Sequence, residues 1–129
     1  MKGLLLVMVG GGVGAGLRYG VGMLSSRIFG MGFPWGTVLC NVGGSLAMGV
    51  LIGAMAQGLI GDSGRAQDAR LLLAVGLLGG FTTFSSFSLD ALTLWQRGEA
   101  ALAAAYVLGS VAAGLGGFVL GLKLMRSAV

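Results

Sequence analysis

The sequence has no histidine, one cysteine (Cys40), one proline (Pro34) and four carboxylates (Asp62, Asp68, Asp90 and Glu99) in 129 residues. Each scarcity removes a class of function. Without histidine there is neither a Ser-His-Asp nor a Cys-His nucleophile. One thiol and four scattered acids do not make a zinc, haem or iron–sulfur ligand set. A single cysteine permits no intrachain disulfide and says nothing about redox compartment. An enzyme is therefore not expected. Charge is scarce as well: 9% of residues are Asp, Glu, Lys or Arg, against roughly 25% in soluble domains.

What fills the space is apolar. Hydrophobic residues make up 56% of the chain, and the mean hydropathy is +0.95. Long uncharged stretches cover residues 3–17, 28–61, 71–89 and 100–122. A bilayer core takes about 20 apolar residues per helix, so the pattern predicts an all-α integral membrane protein with four spans. These lie at about 3–24, 36–59, 71–94 and 100–122, in a single transmembrane domain of residues 1–129. Pro34 sits where the second helix begins, a position at which its missing N–H does no harm. Lys2 before an apolar stretch imitates a signal peptide, but glycines at 10, 12, 14, 16 and 20 interrupt that stretch and suit a packed helix instead.

The net charge of +4 comes from eight scattered Lys and Arg. That fits loop charges near anionic headgroups, and no nucleic-acid partner is expected. Four spans put both termini and the middle loop on one side, with Lys2, Arg65, Arg70, Lys123 and Arg126. Arg27 and Arg97 lie on the other side, with Arg18 near them. So small a bias permits insertion in either orientation.

Glycine is the one residue in great excess: 27 positions, where about 7% is usual. Gly10 and Gly14, then Gly12, Gly16 and Gly20, recur every fourth residue, as do Ser45, Gly49 and Gly53, and Gly109, Ala113, Gly117 and Gly121. Small residues at this spacing let helix backbones approach closely in lipid. Four helices are a thin bundle in which to shelter polar groups, so a homodimer or higher oligomer is expected.

Those polar groups are concentrated. The third span holds Gly76-Leu77-Leu78-Gly79-Gly80-Phe81-Thr82-Thr83-Phe84-Ser85-Ser86-Phe87-Ser88. One reading is a helix break whose freed carbonyls line a cavity or hold an ion. The other is a packed glycine stretch with Ser and Thr bonding back to their own helix. Phe84 and Phe87 share a helix face, and the positive edge of a phenyl ring is able to face an anion. Thr37, Asn41 and Ser45 form a polar stripe on the second span, and Tyr106 and Ser110 form one on the fourth. Buried amides of this kind must be hydrogen-bonded, either to other helices or to an ion. Arg18 lies about 22 Å from Gly3 along a helix. It either snorkels to the interface, neutralises Asp90, or draws anions to a vestibule.

Three segments carry a resemblance. Gly14-Ala15-Gly16-Leu17-Arg18-Tyr19, Gly36-Thr37-Val38-Leu39-Cys40-Asn41-Val42-Gly43-Gly44-Ser45 and the run Gly79–Ser88 resemble the Fluc (CrcB) fluoride channel family, in order and across essentially the whole chain. The resemblance implies a dual-topology, antiparallel homodimer in the bacterial inner membrane, with a broken third helix and two anion pores. It also implies a structural Na+ at the dimer centre on backbone carbonyls, here those of Gly79 and Thr82. The pore phenylalanines correspond to Phe84 and Phe87, the pore asparagine to Asn41, and the arginine of the pore entrance to Arg18. Tyr106 and Ser110 fall at pore-lining polar positions of the fourth helix, and Thr37, Ser85, Ser86 and Ser88 fall in a polar track. Ser85-Ser86 replaces the usual Ser-Thr, and the acidic position after the motif is the shorter Asp90.

The function so implied is passive fluoride export conferring fluoride resistance. Its chief rival is a small dual-topology, proton-coupled multidrug exporter, which needs a membrane carboxylate early in the chain; the first span has none. The other rival is a non-transporting scaffold subunit, which explains the glycines but neither polar stripe.

Overall fold

A computed structural model describes residues 1–127. The described chain is all helical. Helix α1 spans Lys2–Phe29 and α2 spans Trp35–Ala56. The third span, Ser63–Gln96, is composite: α3 (Ser63–Ala69), a π-helical stretch (Arg70–Leu78), a single turn α4 (Gly79–Phe81), and α5 (Phe84–Gln96). The last helix, α6, runs Ala100–Ser127. Four of these stretches are long and apolar enough to cross a membrane. Helix α1 continues five residues past the expected Leu24, and it stops at Gly30, whose φ of 76° suits a residue without Cβ. Gly98, at φ 81°, makes the turn between α5 and α6 in the same way.

Few large side chains are buried: Tyr106, Leu94 and Cys40 are each at or below 2% exposed. Leu4, Leu5, Met8, Val9, Leu108 and Leu115, by contrast, are all at least half exposed. An inside that small and an outside that apolar require lipid or another chain around the helices.

Glycine makes the close contacts. An ideal Cβ on Gly10 would lie 2.2 Å from the Leu72 carbonyl oxygen, and one on Gly14 would lie 2.1 Å from that of Leu77. These positions seat α1 against the π-helical stretch. Between α2 and α6 the same role falls to Gly49, 2.1 Å from the Phe118 carbonyl, and to Gly121, 2.4 Å from that of Leu46. Gly12, Gly16 and Gly20 face open space. The four-residue repeats of α1 thus divide into one filled stripe and one empty stripe.

Contacts at the helix ends fix the topology within the chain. Lys2 pairs with Asp68, and the Gln57 amide donates to the Met125 carbonyl. The start of α1, the loop after α2 and the end of α6 therefore lie together, as four successive spans demand.

Candidate functional site at the break in the third span

The third span stops being helical at Thr82 (φ −82°, ψ 156°) and Thr83 (φ −152°, ψ 122°). Extended backbone at mid-span leaves polar groups that lipid does not solvate, and side chains from elsewhere take them up. Asn41, on α2, grips Thr83 twice. Its amide nitrogen donates to the Thr83 carbonyl at 3.0 Å, and its Oδ1 accepts from the Thr83 N–H at 2.7 Å. Those two bonds fix which way the amide faces. The Thr83 hydroxyl accepts from the Ser86 N–H at 3.1 Å and caps α5. Arg18, on α1, donates its Nε–H to the Gly80 carbonyl at 3.1 Å.

These bonds have a consequence for two further carbonyls. In an unbroken helix the N–H of Thr83 would bond Gly79, and that of Ser86 would bond Thr82. Both donors are diverted, one to Asn41 and one to the Thr83 hydroxyl. The carbonyls of Gly79 and Thr82 lose their helical partners as a result. Of the two readings of this segment, the break is the one observed, although Thr82 and Ser88 also bond back to Leu78 and Phe84.

Beside the break runs an open groove of about 300 Å³ lined by Asn41, Ser45, Phe84, Phe87, Ser110, Val111, Gly114, Leu115 and Phe118. The Phe84 and Phe87 ring centroids are 5.7 Å apart. The Ser110 hydroxyl oxygen is buried and has no hydrogen-bond partner among the described residues. Phe84 is 80% exposed, so its ring projects from the chain. A second groove, reaching Arg18 and Tyr19, is lined by Thr37, Thr83 and Ser86.

Tyr106 stands behind the first groove, 1% exposed, with its ring 5.2 Å from that of Phe87. Its hydroxyl donates to Asp90 at 3.1 Å, and Thr37 donates to the same carboxylate oxygen at 2.6 Å. The sequence reading in which Arg18 neutralises Asp90 is therefore corrected. Arg18 bonds a backbone carbonyl, the only ion pair among the described residues is Lys2–Asp68, and Asp90 is held by hydroxyls from α2 and α6. Ser88 donates to the Phe84 carbonyl and lines neither groove, and Ser85 lies within 3.3 Å of the Thr83 hydroxyl.

Sequence reasoning did not single out Thr83, although it both binds Asn41 and caps α5. A Thr three residues before Ser86, at the foot of a new helix, is a capping signal that was available. Phe118, which lines the first groove, carried no such signal.

Taken together, these features define a class: multi-pass helical membrane proteins with a discontinuous span. The particular family comes from comparison with known proteins. Residues 5–122 match the family described as "CrcB-like protein, Camphor Resistance (CrcB)". The chain is 52% identical over 128 residues to a protein of Novosphingobium aromaticivorans named fluoride-specific ion channel FluC, covering 98% of each chain. Proteins of the same name from Chelativorans sp. and Beijerinckia indica are 49% and 51% identical, again over 98% of each chain. The chain belongs to the CrcB family, a family of ion channels and not of enzymes, and is a multi-pass protein of the bacterial inner membrane.

Proposed function

We propose that this chain forms a fluoride-selective channel that lets fluoride leave the cell passively and so confers fluoride resistance. It works as an antiparallel homodimer of dual topology. The observation that carries this reading is the clamped break. Asn41 spends one amide proton and its oxygen on Thr83, which fixes Phe84 and Phe87 at the start of α5 beside a groove containing an unpartnered Ser110 hydroxyl. The names of the relatives supply the anion.

Fluoride is small and strongly hydrated, so a pore must replace its water with donors. The second Asn41 amide proton and the Ser110 hydroxyl are donors of this kind, and the edges of the two phenyl rings add positive potential without a buried fixed charge. Thr37 and Tyr106 commit their hydroxyl protons to Asp90, and Ser86 continues the polar track towards Arg18 at the entrance. Chloride is excluded by width and by too few donors for the water it sheds. The exposed ring of Phe84 and the open stripe of Gly12, Gly16 and Gly20 support a second copy of the chain packing on this one.

The structural sodium of the family also suits these residues. Hard cations take oxygen ligands, and the Gly79 and Thr82 carbonyls are the two whose helical donors are diverted. Two from each subunit would hold the ion at the dimer centre, where it contributes positive charge and ties the breaks together. Dimer stability is then expected to fall when sodium is replaced by a bulky organic cation; identical stability in both media would remove the ion from the account.

The test of function is efflux from liposomes containing the purified protein, recorded with fluoride- and chloride-selective electrodes. Rapid loss of fluoride with chloride retained is expected. No fluoride loss from verified dimers would leave the exporter and the scaffold as the standing readings.

A further inference from the structure

The loop between α1 and α2 carries a ring that reaches the pore side of the molecule. Phe33 packs edge-to-face with Tyr106, at 5.6 Å between centroids and 88° between planes. Tyr106 in turn lies against Phe87 at 5.2 Å and 36°. Phe33 and Phe87 thus touch the same buried ring and, with Leu94 and Ala103, belong to one apolar cluster. Trp35 also packs on Phe33, at 4.7 Å between centroids.

The Tyr106 ring is closely confined. Its hydroxyl is tethered to Asp90, two aromatic rings pack against it, and almost none of its surface is exposed. Interiors packed to this density transmit the loss of a neighbour, because the remaining groups shift to fill part of the void. With its hydroxyl held, the freedom left to Tyr106 is a tilt about that anchor, and a tilt towards the vacated loop draws it off Phe87.

We propose that Phe33 is a positioning residue for the ring of Phe87, acting through Tyr106, so that the α1–α2 loop sets the geometry of the phenyl-lined groove. This rests on the channel reading given above. Phe33 also packs on Trp35, which in turn meets Phe29 at 5.8 Å, and such a group suits a membrane-interface belt. A belt role predicts no change at residue 87 in a folded protein, and that difference separates the two accounts.

The experiment places 4-fluorophenylalanine at position 87 and records its 19F spectrum in detergent-solubilised dimer, alongside fluoride efflux from liposomes. Phe33→Ala is expected to shift or split the residue 87 resonance and to slow efflux about tenfold, in protein that remains dimeric. Phe33→Tyr, which keeps the ring, is expected to restore both. If Phe33→Ala fails to fold, Phe33→Leu, which fills much of the volume without a ring, is read in its place. An unchanged resonance, or efflux within about twofold of the parent, would overturn the proposal. Should the parent itself pass no fluoride, the channel reading falls, while the resonance still decides whether Phe33 positions Phe87.

Discussion

The α2–α6 pair and the third span are built from similar residues, apolar and rich in glycine, yet they are held in different ways. Helices α2 and α6 are continuous, and they meet through Gly49 and Gly121 set against backbone carbonyls. Along that seam the only side-chain hydrogen bond among the described residues is that of Gln57 to Met125, at its end. The third span also rests on glycine, through Gly10 and Gly14 of α1, but it winds as a π-helix and then breaks. Its break is packed too, Gly44 against Thr82 and Gly80 against Gly11, but it is also closed by the hydrogen bonds of Asn41, Arg18 and Thr83. The comparison separates scaffold from site: shape holds the first region, and directed polar bonds are added to shape in the second.

The two regions should then fail differently under mutation. The largest effect is expected in the packed seam. Gly49→Ala puts a methyl 2.1 Å from the Phe118 carbonyl oxygen, and since backbone must move the cost is about 3 kcal/mol. Loss of monodisperse protein on size exclusion would report it, and a parent-like thermal unfolding curve would contradict it. Asn41→Ala comes next. It strips both partners from Thr83 inside the membrane, at a cost of about 2 kcal/mol, and should reduce fluoride efflux more sharply than it reduces yield. Gly116→Ala marks the small end, because nothing among the described residues lies within 4 Å of the added Cβ. A change within about 0.5 kcal/mol is expected there from unfolding measurements, and a large loss would place a partner chain over that face.

Much of this arrangement is legible in the sequence, and the parts that are not share a cause. Uncharged stretches located four spans because a bilayer tolerates few charges. Gly79-Gly80 followed by hydroxyls marked the segment where a break was one of two readings, because glycine weakens a helix, and the break falls just beyond the glycines at Thr82 and Thr83. The partners of the break were not legible. Asn41 and Thr83 are 42 residues apart, and Arg18 and Gly80 are 62 apart, so no local spacing relates them. Without those distances Arg18 had Asp90 as its obvious counter-charge, whereas Asp90 turns instead to Thr37 and Tyr106. The π-helical winding of Arg70–Leu78 was hidden for a similar reason, since an apolar run shows no period that separates π from α. Glycine spacing predicted close approach but not which stripe of α1 would be filled, because Gly10 and Gly12 look alike until the third span is placed.

The central claim is that the broken span, with its two phenyl rings, conducts fluoride while the glycine seams only hold it in place. Fluoride efflux from liposomes carrying the parent or Phe87→Leu protein, each verified as dimeric before reconstitution, tests it most directly. The account predicts that the parent discharges fluoride and that Phe87→Leu falls to the background leak with the dimer intact. Equal efflux from both would contradict it, since the ring beside the break would then have no part in carrying the ion.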